Sequence, residues 1–327
     1  MLYDIEADWQ LLNTCNYRCT YCFFSSDILG EKLKTCAAAH RWGDAIDSTS
    51  LTWLLHMTGG EPSAYQDFVE LCARLTARHF ISLNSNMTNR AWEDFSRSID
   101  PSRVAFVNAG LHLEERERRK EISSYLRNIE ALSSRGFLVL PSLVATPTAL
   151  HRFEEAIELL RPLALFPVPK AIRGAHEGNW YPYGYSAADR KLFLTYSNAA
   201  KSFYRDKLKE LPTIDVFHDD AILYGEPTFK GLWCEAGHKL VKIEPNGDVY
   251  RCSPDSGVIG NLLDGTFKRD DGPSRCETSY CYYFCQKYAE KSTRDEHLRR
   301  ATHIAAHHLH DRTRYLKRFA KKRFSSR

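Results

Sequence analysis

No stretch of this 327-residue chain approaches the ~20 consecutive apolar residues that cross a bilayer, so nothing in it reads as a transmembrane segment. The opening residues, MLYDIEADWQLLNTC, carry acids and lack the basic n-region of a secretory signal. Without secretory features, ten cysteines point to a reducing cytoplasm rather than to a disulfide framework. Acid is scarce at the C-terminal end. Residues 297–327 hold ten Lys or Arg against the single Asp311, so the formal charge of +4 is a strongly basic tail on a mildly acidic body. Hydrophobic content of 43% with 26% charged residues excludes a disordered or fibrous chain, and the length allows one large core plus a smaller appendage.

What the chain does have is clustered thiol. Eight of the ten cysteines fall in two dense groups. Cys72, in VELCARL, reads as a buried helix residue, and Cys36 has no evident place. The first group, Cys15, Cys19 and Cys22, has C-x3-C-x2-C spacing on one short loop. Soft thiolates at that density hold zinc or an iron–sulfur cluster. Three ligands are one short of the four that a closed zinc site or an ordinary cubane takes. A cubane held by three cysteines keeps one iron open to a small molecule. A zinc knuckle with its fourth ligand elsewhere is the competing reading. About forty residues downstream, Gly59-Gly60-Glu61-Pro62 follows the apolar run Leu51 to Leu55, which reads as a buried strand. Glycines there let backbone approach a ligand closely.

The two motifs together resemble the radical S-adenosylmethionine (radical SAM) enzymes. The resemblance implies that Cys15, Cys19 and Cys22 hold a SAM-binding 4Fe-4S cluster. It also implies that Tyr21 lies near the adenine, and that Gly59, Gly60, Glu61 and Pro62 receive the methionyl ammonium. Ser85 and Asn86, after the third strand, occupy positions where the family commonly binds SAM. A solvated Asn/Ser-rich turn explains them equally well. His112, after the fourth strand, is a candidate catalytic residue on the same footing.

Segment by segment, the first half alternates strand-like and helix-like patterns, the sign of βαβ units. Strands are expected at Asp8 to Leu12, along the run Leu51 to Leu55 up to the Gly-Gly-Glu-Pro, at Phe80 to Leu83, Val104 to Val107, Phe137 to Val144 and Leu163 to Val168. Helices are expected at Tyr65 to Arg78, Asn89 to Arg97, Glu114 to Ser134 (capped by Gly136) and His151 to Leu160. This matches an α/β fold, the partial (β/α)6 barrel of the radical SAM core, with chemistry at the C-terminal strand ends. The expected divisions are a core at residues 1–215, a second domain at 216–290 and a tail at 291–327. Residues 167–185 read as a long irregular loop that lines a substrate pocket, with Lys170, Arg173 and His176 facing an anionic group or solvent.

The second group is Cys234, Cys252, Cys276, Cys281 and Cys285. Between the first two, Ile243 to Tyr250 reads as a hairpin around an Asn246-Gly247 turn. On chemistry alone, zinc competes strongly here. The arrangement resembles the SPASM and twitch domains of radical SAM enzymes: Cys234, Gly247 and Cys252 fit C-x(9–15)-G-x4-C. A full SPASM set has seven cysteines and this chain offers five. The resemblance therefore implies a twitch-like domain with one auxiliary 4Fe-4S cluster, held by Cys234, Cys252 and two of Cys276, Cys281 and Cys285. The fifth would be spare, a ligand of a partial second site or a catalytic hydrogen-atom donor, with Cys276 the candidate. The basic tail reads as an amphipathic helix that contacts an anionic partner, or as solvated chain.

The expected function is cleavage of SAM to a 5′-deoxyadenosyl radical that modifies a ribosomally made peptide by oxidation, cross-linking or epimerisation. A reductase, flavodoxin or ferredoxin would supply the electron. With the first strand near residue 8, a separate protein would present the peptide. Two alternatives are an enzyme of a sugar, aminoglycoside or nucleotide-linked small molecule, and a non-catalytic protein that binds zinc and nucleic acid.

Overall fold

The computed structural model describes residues 1–22, 24, 37–208, 219–224, 229–255 and 257–278. Cys36, Cys281, Cys285 and the basic tail lie outside the described residues.

Six parallel strands form the core: β1 (Ile5–Leu12), β2 (Trp53–Gly59), β3 (Phe80–Ser85), β4 (Val104–Gly110), β5 (Val139–Val144) and β6 (Val168–Lys170). They lie side by side in chain order, each joined to the next through helix. The crossovers are α1 (Ala39–Ser48), α2 (Phe68–Thr76), α3 (Ala91–Ser98), α4 (Leu113–Arg119), α5 (Ile122–Ser133), α6 (Pro147–His151) and α7 (Phe153–Leu160). Period-two alternation in the strands sorts the side chains onto two faces. Trp9, Leu55, Met57, Ile81, Leu83 and Val107 pack into the large core shared with the helices. Leu54, Phe80, Phe106, Leu140 and Val168 turn to the other face. There they form a smaller plug with Ala200 of α8 (Ala187–Phe203) and with Tyr204. Beyond this plug, toward the C-terminal strand ends, the inner face becomes polar: Asp8, His56, Ser82, Asn84 and Asn108.

Several elements depart from the sequence pattern. The expected 114–134 helix is two, broken at Lys120, whose backbone is left-handed (φ 58°). The expected 151–160 helix begins two residues later, at Phe153, and a separate short helix, α6, precedes it across Arg152, whose guanidinium bonds Glu117 and Glu155. The sixth strand lies later than expected, because Arg161–Leu163 with its internal Pro162 forms a 3-10 turn and Ala164 is left-handed. The expected irregular loop at 167–185 contains β6 and the small hairpin of β7 (Gly174–His176) and β8 (Asn179–Tyr181).

The C-terminal cysteine region joins the core sheet. After β9 (Trp233–Cys234), strand β10 (Leu240–Ile243) pairs in parallel with β1, Glu6 opposite Leu240 and Trp9 opposite Ile243. β11 (Asp248–Tyr250) returns antiparallel to it, the hairpin expected around Asn246-Gly247, and β12 (Val258–Asn261) closes the edge. Gly247, at φ +92°, supplies the left-handed residue of that turn. β13 (Ser274–Arg275) pairs with β9 in a separate ribbon. One nine-stranded sheet, ordered β12-β11-β10-β1-β2-β3-β4-β5-β6, therefore joins the strand that leads into the Cys15 loop to the hairpin that ends beside Cys252.

Candidate active site

A cavity of about 440 Å³ opens at the C-terminal ends of the parallel strands. Cys15, Cys19 and Cys22 line one wall with Gly59, Gly60 and Glu61, so both sequence motifs meet there. β1 delivers the cysteine loop, and the end of β2 is stitched to it. Gly60 N–H donates to Leu12 O at 2.7 Å and Glu61 N–H to Thr14 O at 2.8 Å. The two glycines are needed for this contact. A Cβ on Gly59 would lie 2.3 Å from Leu12 O, and one on Gly60 would lie 2.2 Å from Thr14 O. The backbone that these glycines admit is thus the cysteine loop itself, where the sequence suggested a ligand.

The Glu61 carboxylate is buried and fixed by four donors. Ser63 N–H (3.0 Å), Ser63 Oγ (2.6 Å) and Ser85 Oγ (2.7 Å) reach Oε1, and Asn86 N–H (2.6 Å) reaches Oε2. Pro62 begins the 3-10 turn that presents the Ser63 donors. Burial pushes the Glu61 carboxyl up and the four hydrogen bonds pull it back. Ser85 and Asn86 are buried supports of this carboxylate rather than a solvated turn. The Asn86 side chain also donates to Asn16 Oδ1 at 2.8 Å, tying the end of β3 to the cysteine loop.

Nothing in the sequence pattern marks out Arg116. It sits in LEERERR, which reads as a solvated charged face, yet it is fully buried. Its guanidinium donates to Gly110 O (2.9 Å), Tyr17 OH (3.2 Å), Leu111 O and Asn86 O, and lies 4.0 Å from the Tyr125 ring centroid. One side chain thereby joins the cysteine loop to the ends of β3 and β4. The break at Lys120 lets Glu121 return to the same site, where its Oε2 accepts from Tyr17 OH at 2.6 Å.

His112 sits at a left-handed position (φ 44°) before α4. Its Nδ1 is 2.9 Å from Tyr21 OH and 3.6 Å from Cys19 Sγ. Burial and the nearby Arg116 push it down to about 3, so the imidazole is neutral at physiological pH. Tyr21 stacks parallel to it at 6.1 Å. Across the cavity, Lys170 and Arg173 reach the wall, as the sequence suggested, but around an acid. Arg173 Nη2 is 2.9 Å from Asp219 Oδ1, and Ala171 N–H donates to Asp219 Oδ2 at 2.8 Å. Burial would raise Asp219, but Arg173 and Lys170 hold it below the usual carboxylate value. His176 is buried among Tyr21 and Tyr181 instead.

Of the second group, Cys234, Cys252 and Cys276 lie buried in one small cluster with Phe229, Ala236 and Leu240. The β9–β13 ribbon places Ser274 opposite Cys234, which brings Cys276 alongside. The cavity wall does not include Cys276, so its candidacy as a hydrogen-atom donor gains no support.

The first set fits an iron–sulfur cluster. Burial lifts the Cys15 thiol to about 11 and the Cys19 thiol to about 12, so each needs a metal charge beside it to become a thiolate. Among the described residues no three Cys, His, Asp or Glu converge on a single ion.

A half-barrel whose thiol loop and buried glutamate face one cavity defines a class of cluster-dependent, SAM-using enzymes. Residues 9–161 match the family model of the Radical SAM superfamily, so this part of the chain is a radical SAM domain. Its hairpin-borne second cysteine group resembles that of the SPASM/twitch members. Mycofactocin maturase MftC of Mycobacterium tuberculosis (strain ATCC 25618 / H37Rv) is 26% identical over 276 residues, spanning 80% of this chain and 68% of that protein. MftC of Mycobacterium ulcerans (strain Agy99) is 26% identical over 277 residues, 79% and 72%. Among solved structures, native anSMEcpe with bound AdoMet superposes with a TM-score of 0.55 at 17% identity, covering 80% of this chain and 79% of that one. Streptococcus suis SuiB bound to precursor peptide SuiA gives 0.53 at 14% identity, covering 82% and 65%. These structural likenesses show the fold. Among the described residues, no helix is long and apolar enough to cross a membrane.

Proposed function

We propose that this chain is a cytoplasmic radical SAM maturase that oxidatively modifies a ribosomally made peptide. The observation that carries the reading is the meeting of Cys15, Cys19, Cys22 and Glu61 on one cavity wall. When bound, the 4Fe-4S cluster and SAM supply a 5′-deoxyadenosyl radical that takes a hydrogen atom from the substrate. The three cysteines hold that cluster. Glu61, immobilised by four donors, offers a fixed negative charge to the methionyl ammonium. Arg116 and Asn86 keep the loop and the strand ends in register. Tyr21 and neutral His112 close the wall beside Cys19 without adding charge. Cys234, Cys252 and Cys276, with Cys281 or Cys285, hold one auxiliary cluster, which suits a reaction that removes an electron. The peptide reading is supported by the relatives: mycofactocin maturase and a SuiB structure with its precursor peptide. A flavodoxin- or ferredoxin-type donor and a separate peptide-presenting protein complete the system, and the basic tail suits an acidic partner.

A small polar substrate is the second reading. It is favoured by the polar inner wall, where Asn108 donates to Asn84 at 2.6 Å and keeps its own carbonyl oxygen unpartnered. The two are separated by 5′-deoxyadenosine release from anaerobically reconstituted enzyme with dithionite. Stimulation by acidic peptides supports maturation, and stimulation by sugar alcohols alone supports the second reading. Absence of any release from wild type, with cluster present, contradicts both.

A further inference from the structure

β4 ends at Gly110, and the two residues that follow lay one imidazole against the cysteine loop. Leu111 N–H donates to Ser142 O at 2.7 Å, which ties this segment to β5. His112 then takes the left-handed backbone (φ 44°, ψ 52°), a region that His, Asn and Asp enter more readily than bulkier residues. Its carbonyl accepts from Arg116 N–H at 3.0 Å and so starts α4. The ring lies over Gly110, where a Cβ would come within 2.4 Å of His112 Nε2. Tyr17 meets the ring edge-on at 5.7 Å, and Tyr21 stacks on it at 6.1 Å. Backbone, glycine and two aromatic rings thus fix where Nδ1 points: 2.9 Å from Tyr21 OH and 3.6 Å from Cys19 Sγ.

What each of these atoms can offer sets where the protons lie. The Tyr21 hydroxyl also hydrogen-bonds the Cys19 sulfur and pulls that thiol down against burial. A ligating thiolate only accepts, so the Tyr21 hydroxyl donates to it. The Tyr21 oxygen is then an acceptor, and the group that meets it is Nδ1–H. Burial and Arg116 keep the imidazole neutral, so its single N–H sits at Nδ1. The three groups form one polarised chain, His112 Nδ1–H to Tyr21 O–H to the Cys19 sulfur, with both donors aimed at one ligand.

We propose that His112, through Tyr21, raises the reduction potential of the iron–sulfur centre held by Cys15, Cys19 and Cys22. The inference rests on the cluster reading of those three cysteines given above. An electron added to a thiolate-bound cluster increases the negative charge on its ligand sulfurs, and hydrogen bonds to those sulfurs stabilise the more negative state. One electron enters from the flavodoxin- or ferredoxin-type donor, which is oxidised by one; no bond forms or breaks. The role given to His112 is positional: it holds the Tyr21 O–H on Cys19 and transfers no proton. Both donors are neutral, so the centre becomes easier to reduce without an added cation in the cavity.

The test is an EPR-monitored redox titration of the full-length, anaerobically reconstituted protein, with iron counted per chain. The relevant signal is the one lost in the Cys15→Ala/Cys19→Ala/Cys22→Ala variant. His112→Phe keeps a ring and removes the donor. With iron content unchanged, it should shift the reduction equilibrium about tenfold toward the oxidised state, a fall of about 59 mV for a one-electron couple. Tyr21→Phe, which leaves the left-handed backbone untouched, should fall at least as far, and it carries the test if His112→Phe loses iron. His112→Asn should stay near the parent, because Asn accepts the same backbone and places an N–H at the same δ position. An unmoved potential in iron-replete His112→Phe or in Tyr21→Phe overturns the inference, as does a fall in His112→Asn as large as that in Tyr21→Phe. If wild type shows no iron and no signal that depend on Cys15, Cys19 and Cys22, the cluster reading itself fails, and iron content distinguishes that result from an unmoved potential.

Discussion

The Arg116 guanidinium holds three backbone carbonyls and the Tyr17 hydroxyl in a space closed to water. Removing it strands those acceptors. Arg116→Leu is therefore expected to cost about 3 kcal/mol of apoprotein stability, measured by urea denaturation, with a matching loss of iron from the N-terminal centre. A change near zero would show that the loop does not depend on this side chain. Gly60→Ala tests the neighbouring contact. The new methyl meets Thr14 O, so the loop must shift, at about 1–3 kcal/mol and with poorer iron retention by Cys15, Cys19 and Cys22. Neither dependence was legible in the sequence. The motif shows the cysteines and Glu61 because their chemistry is local. Arg116 looks like any charged helix residue until the break at Lys120 turns α4 inward. Asn86 and Ser85 were visible as candidates, but their hydrogen bonds run to Glu61 and Asn16, distant in the chain.

At the scale of elements, the strand pattern was the most readable. β1 to β5 lie where alternation and apolar runs place them, because burial on both faces leaves an unbroken apolar signature. The misplaced β6 and the helix broken at Lys120 share one cause: left-handed or 3-10 residues, which periodicity does not register. The segment after β6 offers a pH prediction. Asp219 is held below its ordinary value of 3.8 by Arg173 and Lys170 against the opposing effect of burial. A carboxyl depressed in the folded state adds stability that is full above that ordinary value and is lost as pH falls through the folded-state value. Urea midpoints of wild type should therefore drop below about pH 4. Asp219→Asn should show a shallower acid limb and a lower plateau at neutral pH. Identical acid limbs would rule out this ion-pair cluster as a source of stability.

For the whole molecule, the sheet continues from the radical SAM core into the cysteine hairpin through β10 and β1. Composition and motif spacing suggest two separable domains, because both cysteine groups are locally defined. The parallel pairing of residues some 230 apart leaves no local trace. It follows that truncation before residue 229 should expose the edge of β1 and yield aggregate rather than a soluble core, as read by size-exclusion chromatography. A monodisperse truncated core would mean that the two units fold independently. The shared sheet also ties the strand that leads into the Cys15 loop to the hairpin that ends beside Cys252.

The central claim is that one chain carries two iron–sulfur centres, one at each cysteine group. The most direct measurement is iron and sulfide per chain, with EPR after dithionite, in anaerobically purified wild type and in the Cys15→Ala/Cys19→Ala/Cys22→Ala variant. The account predicts about eight irons in wild type and about four in the variant. A variant that retains no iron would contradict it, leaving the C-terminal cysteines as a zinc site or as idle thiols and removing the oxidative mechanism.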